Sequence, residues 1–136
     1  MPSPFIFVAS VFVILHGLVH LLYVGQSQRL FELQPDFDWP AGSWAFARLL
    51  GAGATRWLAT IAFSIIALGF VVSGVGILTR HAWWHPLAIG SAALSSVMVL
   101  LLWNGRLQRL DDQGVFGLLI DAAILVAGLL VRWPSL

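Results

Sequence analysis

The sequence predicts an all-α integral membrane protein: an antiparallel four-helix bundle, with a short interfacial helix in the long loop between helices one and two. The chain of 136 residues is 60% hydrophobic and 10% charged, whereas soluble domains are about 45–50% apolar and about 25% charged. It contains four apolar segments near the ~20 residues that a helix needs to cross a bilayer. At this length we expect a single transmembrane domain, residues 1–136.

The four predicted spans are bounded by residues suited to helix ends. They cover residues 4–24, 55–78, 84–103 and 115–131. Thr55 is suited to cap the second helix, and Pro86 falls in the first turn of the third, where its missing N–H costs little. Asp111 and Asp112 precede the fourth helix, whose N-terminal dipole favours negative charge. The first span follows no basic region and precedes no small-residue cleavage site, so we interpret it as a retained helix.

The long loop contains the segment "SWAFARLL", residues 43–50. We interpret it as the short interfacial helix, capped by Ser43, with its apolar residues against the membrane. An ordinary loop is the alternative. Tryptophans near the span ends, such as Trp57, Trp83 and Trp84, match the aromatic belt of membrane interfaces.

Arginine counts predict the orientation of the chain. One side of the predicted bundle carries Arg29, Arg48, Arg56, Arg106 and Arg109, and the other carries Arg80 and Arg132. Positive residues are enriched on the cytoplasmic side. We therefore expect a cytoplasmic long loop and both termini outside. The chain contains no cysteine and no basic run, which excludes thiol chemistry and gives no argument for a nucleic-acid partner.

Polar residues converge at one depth of the predicted bundle. His16 and His20 lie four apart in the first span, and Asp121 is the charged residue well inside a span. At about 1.5 Å per residue all three fall at similar depths below the long-loop side. Asn104 ends the third span on that side, and further hydroxyl side chains fall nearby: Thr60, Ser64, Ser95 and Ser96. A charge in a span is costly, so Asp121 should face the bundle with a partner.

Three interpretations of these residues remain open. His16, His20 and Asp121 can stabilise the bundle by interhelical hydrogen bonds. The same three can bind a metal, and with Asn104 they can bind a ligand or cofactor. As an acid–base site, His16 and His20 would transfer protons, with Asp121 orienting them, on a lipophilic substrate. Haem is not favoured, because His81 and His85, in an interfacial turn predicted to be exposed, lie on the opposite membrane face from His16.

The runs "HGLVHLL" and "LLWNGRLQRLDDQGVFGLLIDAAIL" resemble small bacterial four-span proteins that are DoxX-like in size and span count. The resemblance implies a bacterial inner membrane location and brings no settled activity. The long loop, with its extra "ELQPDFDWPAGSWAFARLL", departs from that pattern.

The functions that we expect follow from these interpretations. The leading one is a membrane protein that binds a ligand, metal or cofactor through the His/Asp residues, as a homo-oligomer or an accessory subunit. A membrane-embedded proton-transfer enzyme and a structural subunit of a larger complex are the alternatives. Small residues four apart motivate the association: Gly69 and Ser73 in helix two, and Ala88, Ala92 and Ser96 in helix three.

Overall fold

The computed structural model describes residues 3–31, 38–107, 110 and 113–131. All regular structure in this part of the chain is helical, and it contains no strand. The helices are α1 (Pro4–Ser27), α2 (Ala47–Leu78), α3 (Trp84–Leu102) and α4 (Val115–Val126), which continues into a π-helical segment (Ala127–Val131). The predicted all-α fold class is therefore confirmed. The predicted cap residues Asp111 and Asp112 lie outside the described residues.

Three of these helices, α1 to α3, are long enough and apolar enough to cross a membrane. The fourth apolar helix, Val115–Leu130, is shorter than these three; together with the π-helical segment, α4 covers the predicted range 115–131. Its last turn departs from the regular hydrogen-bond pattern of an α-helix. In that turn the Gly128 carbonyl accepts a hydrogen bond from His85 Nε2 at 2.8 Å, so a side chain of α3 satisfies a backbone group of the irregular segment.

The second helix begins earlier than predicted. Thr55 was expected to cap it, but the helix starts at Ala47 and is kinked at Gly51, where φ is 78° and ψ is 169°. Thr55 lies inside the helix, and its hydroxyl donates to the Gly51 carbonyl at 2.7 Å. The single turn before the kink overlaps the predicted helix at 43–50. Ser43 Oγ accepts the amide hydrogens of Ala45 and Phe46, as expected for a residue at the start of a helical turn.

Close packing of α1 against α2 depends on glycine. A Cβ at Gly17 would lie 2.7 Å from Phe70 Cβ and 3.0 Å from the Ala67 carbonyl oxygen. Nearer the N-terminus of α1, Ser10 Oγ donates to the Gly74 carbonyl of α2 at 2.6 Å. Because the two backbones approach this closely, the residue beside His16 must be glycine, and His16 itself is held against α2.

The small residues of α2 and α3 pack against each other inside the chain. Ser73 is fully buried and donates to the Trp84 carbonyl at 2.8 Å. Ala88 and Ala92 are buried, and Gly69 contacts Ser91. The small residues on which the predicted oligomer was based therefore pack within one chain. The oligomer stays a prediction, but these residues no longer support it.

Helix contacts follow the chain order: α1 packs mainly on α2, α2 also packs on α3, and α3 packs on α4, whereas α1 and α4 meet at few residues. Buried residues of α1 recur every three or four positions from Ile6 to Tyr23, so a single stripe of the helix faces inward. The rest of its surface exposes large apolar side chains, among them Phe5, Phe7 and Leu22.

Candidate functional site

The first helix supplies two buried histidines. His16 and His20 lie one turn apart on the inward stripe of α1, with 4% and 0% of their surfaces exposed. Phe70 of α2 contacts both rings, with centroids 4.8 Å from His16 and 5.4 Å from His20. The two imidazoles also contact each other edge to face at 4.9 Å. Both rings are thus fixed by packing as well as by hydrogen bonds.

His16 is paired with the buried carboxylate of α4. Its Nε2 lies 2.7 Å from Oδ1 of Asp121, a residue 105 positions later with no exposed surface. The pair connects α1 and α4, two helices that otherwise pack mainly on other helices. The structure therefore brings together two of the residues that the sequence singled out.

His20 uses both of its ring nitrogens. Nδ1 lies 2.9 Å from the His16 carbonyl oxygen, and Nε2 lies 2.8 Å from Ser95 Oγ of α3. A carbonyl only accepts hydrogen bonds, so Nδ1 carries a proton and donates it. In the neutral ring Nε2 then accepts from the Ser95 hydroxyl. Of the hydroxyl residues expected at this depth, the structure brings Ser95 to the histidines; Thr60 instead bonds Gln28, and Ser96 bonds its own helix.

Two polar atoms of this group have no partner. His16 Nδ1 and Asp121 Oδ2 are buried without a hydrogen bond to the described protein. Leaving a buried polar atom unsatisfied costs about 1–3 kcal/mol, and more for a charged group. A carboxylate charge buried at this position would need a compensating positive charge. The unpaired atoms therefore mark where a proton, cation or polar ligand would be stabilised.

The three residues have the donor atoms for a metal. His16, His20 and Asp121, which we call the His–Asp cluster, each offer one ligand atom, and these atoms lie within 4.8 Å of one another. Two imidazoles and one carboxylate are ligands that divalent zinc and iron accept. Their number leaves coordination positions free for water or a small molecule.

Aromatic residues that the sequence did not single out cover the cluster. Tyr23 contacts His20 at 5.4 Å between ring centroids, and Trp39 contacts Tyr23 at 5.7 Å. Phe63 of α2 contacts Tyr23 and Trp39 in turn. Tyr23 could have been found, because it lies three residues after His20 on the same helix face. Trp39 lies in the long loop, and no sequence pattern places it there; its buried indole Nε1 has no partner among the described residues.

Asn104, predicted as a cofactor-binding residue, lies in the loop after α3. Its backbone amide donates to Gln113 Oε1 at 3.0 Å, and its side-chain amide donates to Asp38 Oδ1 at 3.4 Å. Its own Oδ1 accepts from the Arg106 amide at 2.9 Å. Asn104 therefore organises the loop, and the structure does not bring it to the His–Asp cluster.

The other two histidines also lie away from the cluster. His81 is exposed, as predicted, and its Nδ1 lies 2.8 Å from Thr79 Oγ1. His85 was expected to be exposed, but it is half-buried, because its Nε2 reaches the Gly128 carbonyl in the π-helical segment. Neither residue shares a contact with His16 or His20.

An apolar groove runs beside the cluster. It has a volume of about 330 Å³ and is lined by side chains of all four helices, including Phe12, Val13, Ile77, Ala88 and Ile124. Val13 lies three residues before His16, and Ile124 lies three residues after Asp121, so the groove begins about one helical turn from the paired residues. Such a lining suits a lipophilic chain.

Protein-family models, curated proteins and solved structures were each compared with this chain, and none matches it.

Proposed function

We propose that this chain is a small integral membrane protein that binds a divalent transition-metal ion at the His–Asp cluster. The observation that carries the proposal is the convergence of three potential ligand atoms within 4.8 Å inside the protein. It is supported by the unpartnered His16 Nδ1 and Asp121 Oδ2. A bound cation supplies the positive charge that an ionised, buried Asp121 requires.

Hydrogen bonds around the cluster support metal binding. Histidines that bind metals usually donate their other ring N–H to a carbonyl or carboxylate, which fixes the tautomer and the ring orientation. The bond from His20 Nδ1 to the His16 carbonyl has this form, and it leaves Nε2 as the ligand atom. In the structure the Ser95 hydroxyl is hydrogen-bonded to this Nε2 at 2.8 Å. When the metal binds, the hydroxyl would turn away by rotation about one side-chain bond.

The membrane setting is part of the same proposal. Three helices have the length and apolar character of spans, and α1 exposes large apolar side chains that lipid would cover. We place α1–α4 in a bacterial inner membrane as an antiparallel four-helix bundle, with the long loop cytoplasmic and both termini outside. The proposal has two further parts. The chain is related to the DoxX-like proteins, and it associates into a homo-oligomer or a larger complex.

Metal titration of the purified protein tests the function. The protein is extracted in a mild detergent, stripped with a chelator, and titrated with Zn²⁺ in competition with a chromophoric chelator; elemental analysis gives the stoichiometry. We expect one ion per chain. His16→Gln and Asp121→Asn should each weaken binding by about tenfold or more, because each removes a ligand or the group that orients one.

His85→Gln is the matched control, since it removes a half-buried histidine outside the cluster. It should bind Zn²⁺ like the unaltered protein. Binding below one ion per chain, or an equal loss in His85→Gln and His16→Gln, would remove the basis for a metal site at the cluster.

A second function is favoured by the apolar groove. There the His16–Asp121 pair would act on a lipophilic substrate whose chain occupies the groove, with Asp121 orienting the imidazole and Nδ1 of His16 accepting a proton. Val13→Trp adds bulk to the lining of the groove and keeps the side chains of His16, His20 and Asp121 in the protein. Reduced turnover or binding of a lipophilic substrate in Val13→Trp, with Zn²⁺ binding retained, would favour this function over metal binding alone.

A further inference from the structure

A small basic pocket lies between the end of α1 and the part of α2 that follows the kink. Its volume is about 200 Å³, and its lining residues are Ser27, Gln28, Arg29, Gly53, Arg56 and Trp57. Two arginines thus line one cavity. Among the described residues neither arginine pairs with a carboxylate; the histidine–carboxylate contact of His16 with Asp121 lies elsewhere in the protein.

The arginine side chains are not needed to satisfy the backbone carbonyls at the C-terminus of α1. At the C-terminus of α1 the Arg29 amide donates to the Gln26 carbonyl and the Leu30 amide donates to the Gly25 carbonyl. This is the Schellman arrangement, which satisfies the last carbonyls with backbone donors. The neighbouring polar side chains are also engaged: Ser27 donates to the Tyr23 carbonyl, and Gln28 donates to Thr60. Within the described ranges no acceptor takes up these guanidinium donors, so they are available to a ligand.

The backbone of Arg29 has a conformation that residues with a side chain disfavour. Its φ is 56°, in the left-handed region; a Schellman motif has this conformation at the residue directly after the C-cap, which is usually glycine. Strained backbone that persists in a side-chain-bearing residue often marks a functional position. Arg80 has the same conformation, with a φ of 57° after α2, and serves as the comparison.

We propose that the pocket of Arg29 and Arg56 binds a phosphate group, either the headgroup phosphate of an anionic phospholipid or a soluble phosphate. Guanidinium groups match phosphate oxygens with paired, charge-assisted hydrogen bonds. The pocket lies at the end of an apolar helix long enough to cross a membrane. Trp57 at its rim is 61% exposed, and tryptophan is enriched at headgroup level. This inference does not depend on metal binding.

Lipid retention in native mass spectrometry tests the proposal. The protein is delipidated in a mild detergent and offered phosphatidylglycerol or, as a control without phosphate, diacylglycerol with the same chains. Phosphatidylglycerol should be retained and diacylglycerol lost. Arg56→Gln should weaken retention by about tenfold or more, in line with the loss of a hydrogen bond to a charged group.

A parallel experiment adds inorganic phosphate to the lipid-bound protein. Competition with the lipid assigns the site to soluble phosphate as well, and no competition assigns it to the lipid headgroup.

Glycine variants separate binding from folding. Arg29→Gly removes the guanidinium and also relieves the left-handed conformation, so lipid retention should fall while the unfolding midpoint rises. Arg80→Gly should raise the midpoint and leave retention unchanged. Arg106→Gln removes an exposed positive charge in another loop and should also leave retention unchanged, as should His16→Gln. Equal retention of phosphatidylglycerol and diacylglycerol, or an equal loss in Arg106→Gln and Arg56→Gln, would overturn the proposal.

Discussion

The Nε2 atom of His16 and the Oδ1 atom of Asp121 lie 2.7 Å apart, and this contact joins the first helix of the chain to the last. Both side chains are buried, so the contact is made in a setting where an unpaired charge is costly. Each residue keeps a second polar atom without a partner. The pair therefore links the two helices, and it also leaves two polar atoms of the candidate site without hydrogen-bond partners.

A double-mutant cycle measures this link. His16→Ala and Asp121→Asn should each lower the free energy of unfolding, by about 3–5 kcal/mol if the lost partner leaves a charge buried. The double variant should cost less than the sum, because the residues share one interaction. Thermal or denaturant unfolding in one detergent gives the three differences. Additive effects would show that the two side chains do not interact in the folded protein.

The close approach of α1 and α2 predicts a strict requirement at Gly17. Gly17→Ala places a methyl group 2.7 Å from Phe70 Cβ, and we expect a cost of about 1–3 kcal/mol from overpacking. Gly53→Ala is the matched control, because no heavy atom lies within 4 Å of its added Cβ. In a helix that change should be neutral or stabilising by about 1 kcal/mol. Equal stability of the two variants would contradict the observed helix packing.

Ser95 should matter more than its neighbour Ser96. Ser95→Ala leaves the buried Nε2 of His20 without its partner at 2.8 Å, which should cost about 1–3 kcal/mol. Ser96 is half-buried and bonds the Ala92 carbonyl of its own helix, so Ser96→Ala should change stability by about 0.5 kcal/mol or less. Unfolding midpoints of the two variants provide the comparison, and a larger effect in Ser96→Ala would argue against the position of His20.

The proposed orientation in the membrane rests on the arginine distribution. Fusions of a cytoplasm-active reporter at Leu136 should be inactive, and a fusion within the long loop should be active. A periplasm-active reporter supplies the reciprocal control. Activity of the cytoplasmic reporter at Leu136 would reverse the proposed orientation.

The positions of the helices were largely readable from the sequence, because apolar runs bounded by turn residues define them. α1 and α3 begin at the predicted residues, Pro4 and Trp84, and end within a few residues of the predicted ends. The start of α2 was not readable, since the turn before Gly51 continues into the helix through a positive φ that glycine allows. The π-helical end of α4 receives a long-range hydrogen bond from His85, and no local pattern reveals that contact.

The residues of the candidate site were predictable where the depth of a residue along its helix determines whether it can belong to the site. Counting residues placed His16, His20 and Asp121 in one layer, and the structure brings their ligand atoms within 4.8 Å. The same counting favoured Asn104, which fails because the chain after α3 turns toward Asp38 and Gln113. Side chains from loops, such as Trp39, depend on how the loop folds back and carry no periodic signal.

X-ray absorption spectroscopy at the zinc edge tests the central claim most directly, because it counts the imidazole ligands of the bound ion. For the Zn²⁺-loaded protein the account predicts nitrogen or oxygen ligands at about 2.0–2.1 Å, with outer-shell scattering from two imidazoles. His20→Gln should lose the scattering of one imidazole, and His85→Gln should keep both. A spectrum without imidazole scattering, or one that His16→Gln and His20→Gln leave unchanged, would contradict a metal site at the His–Asp cluster.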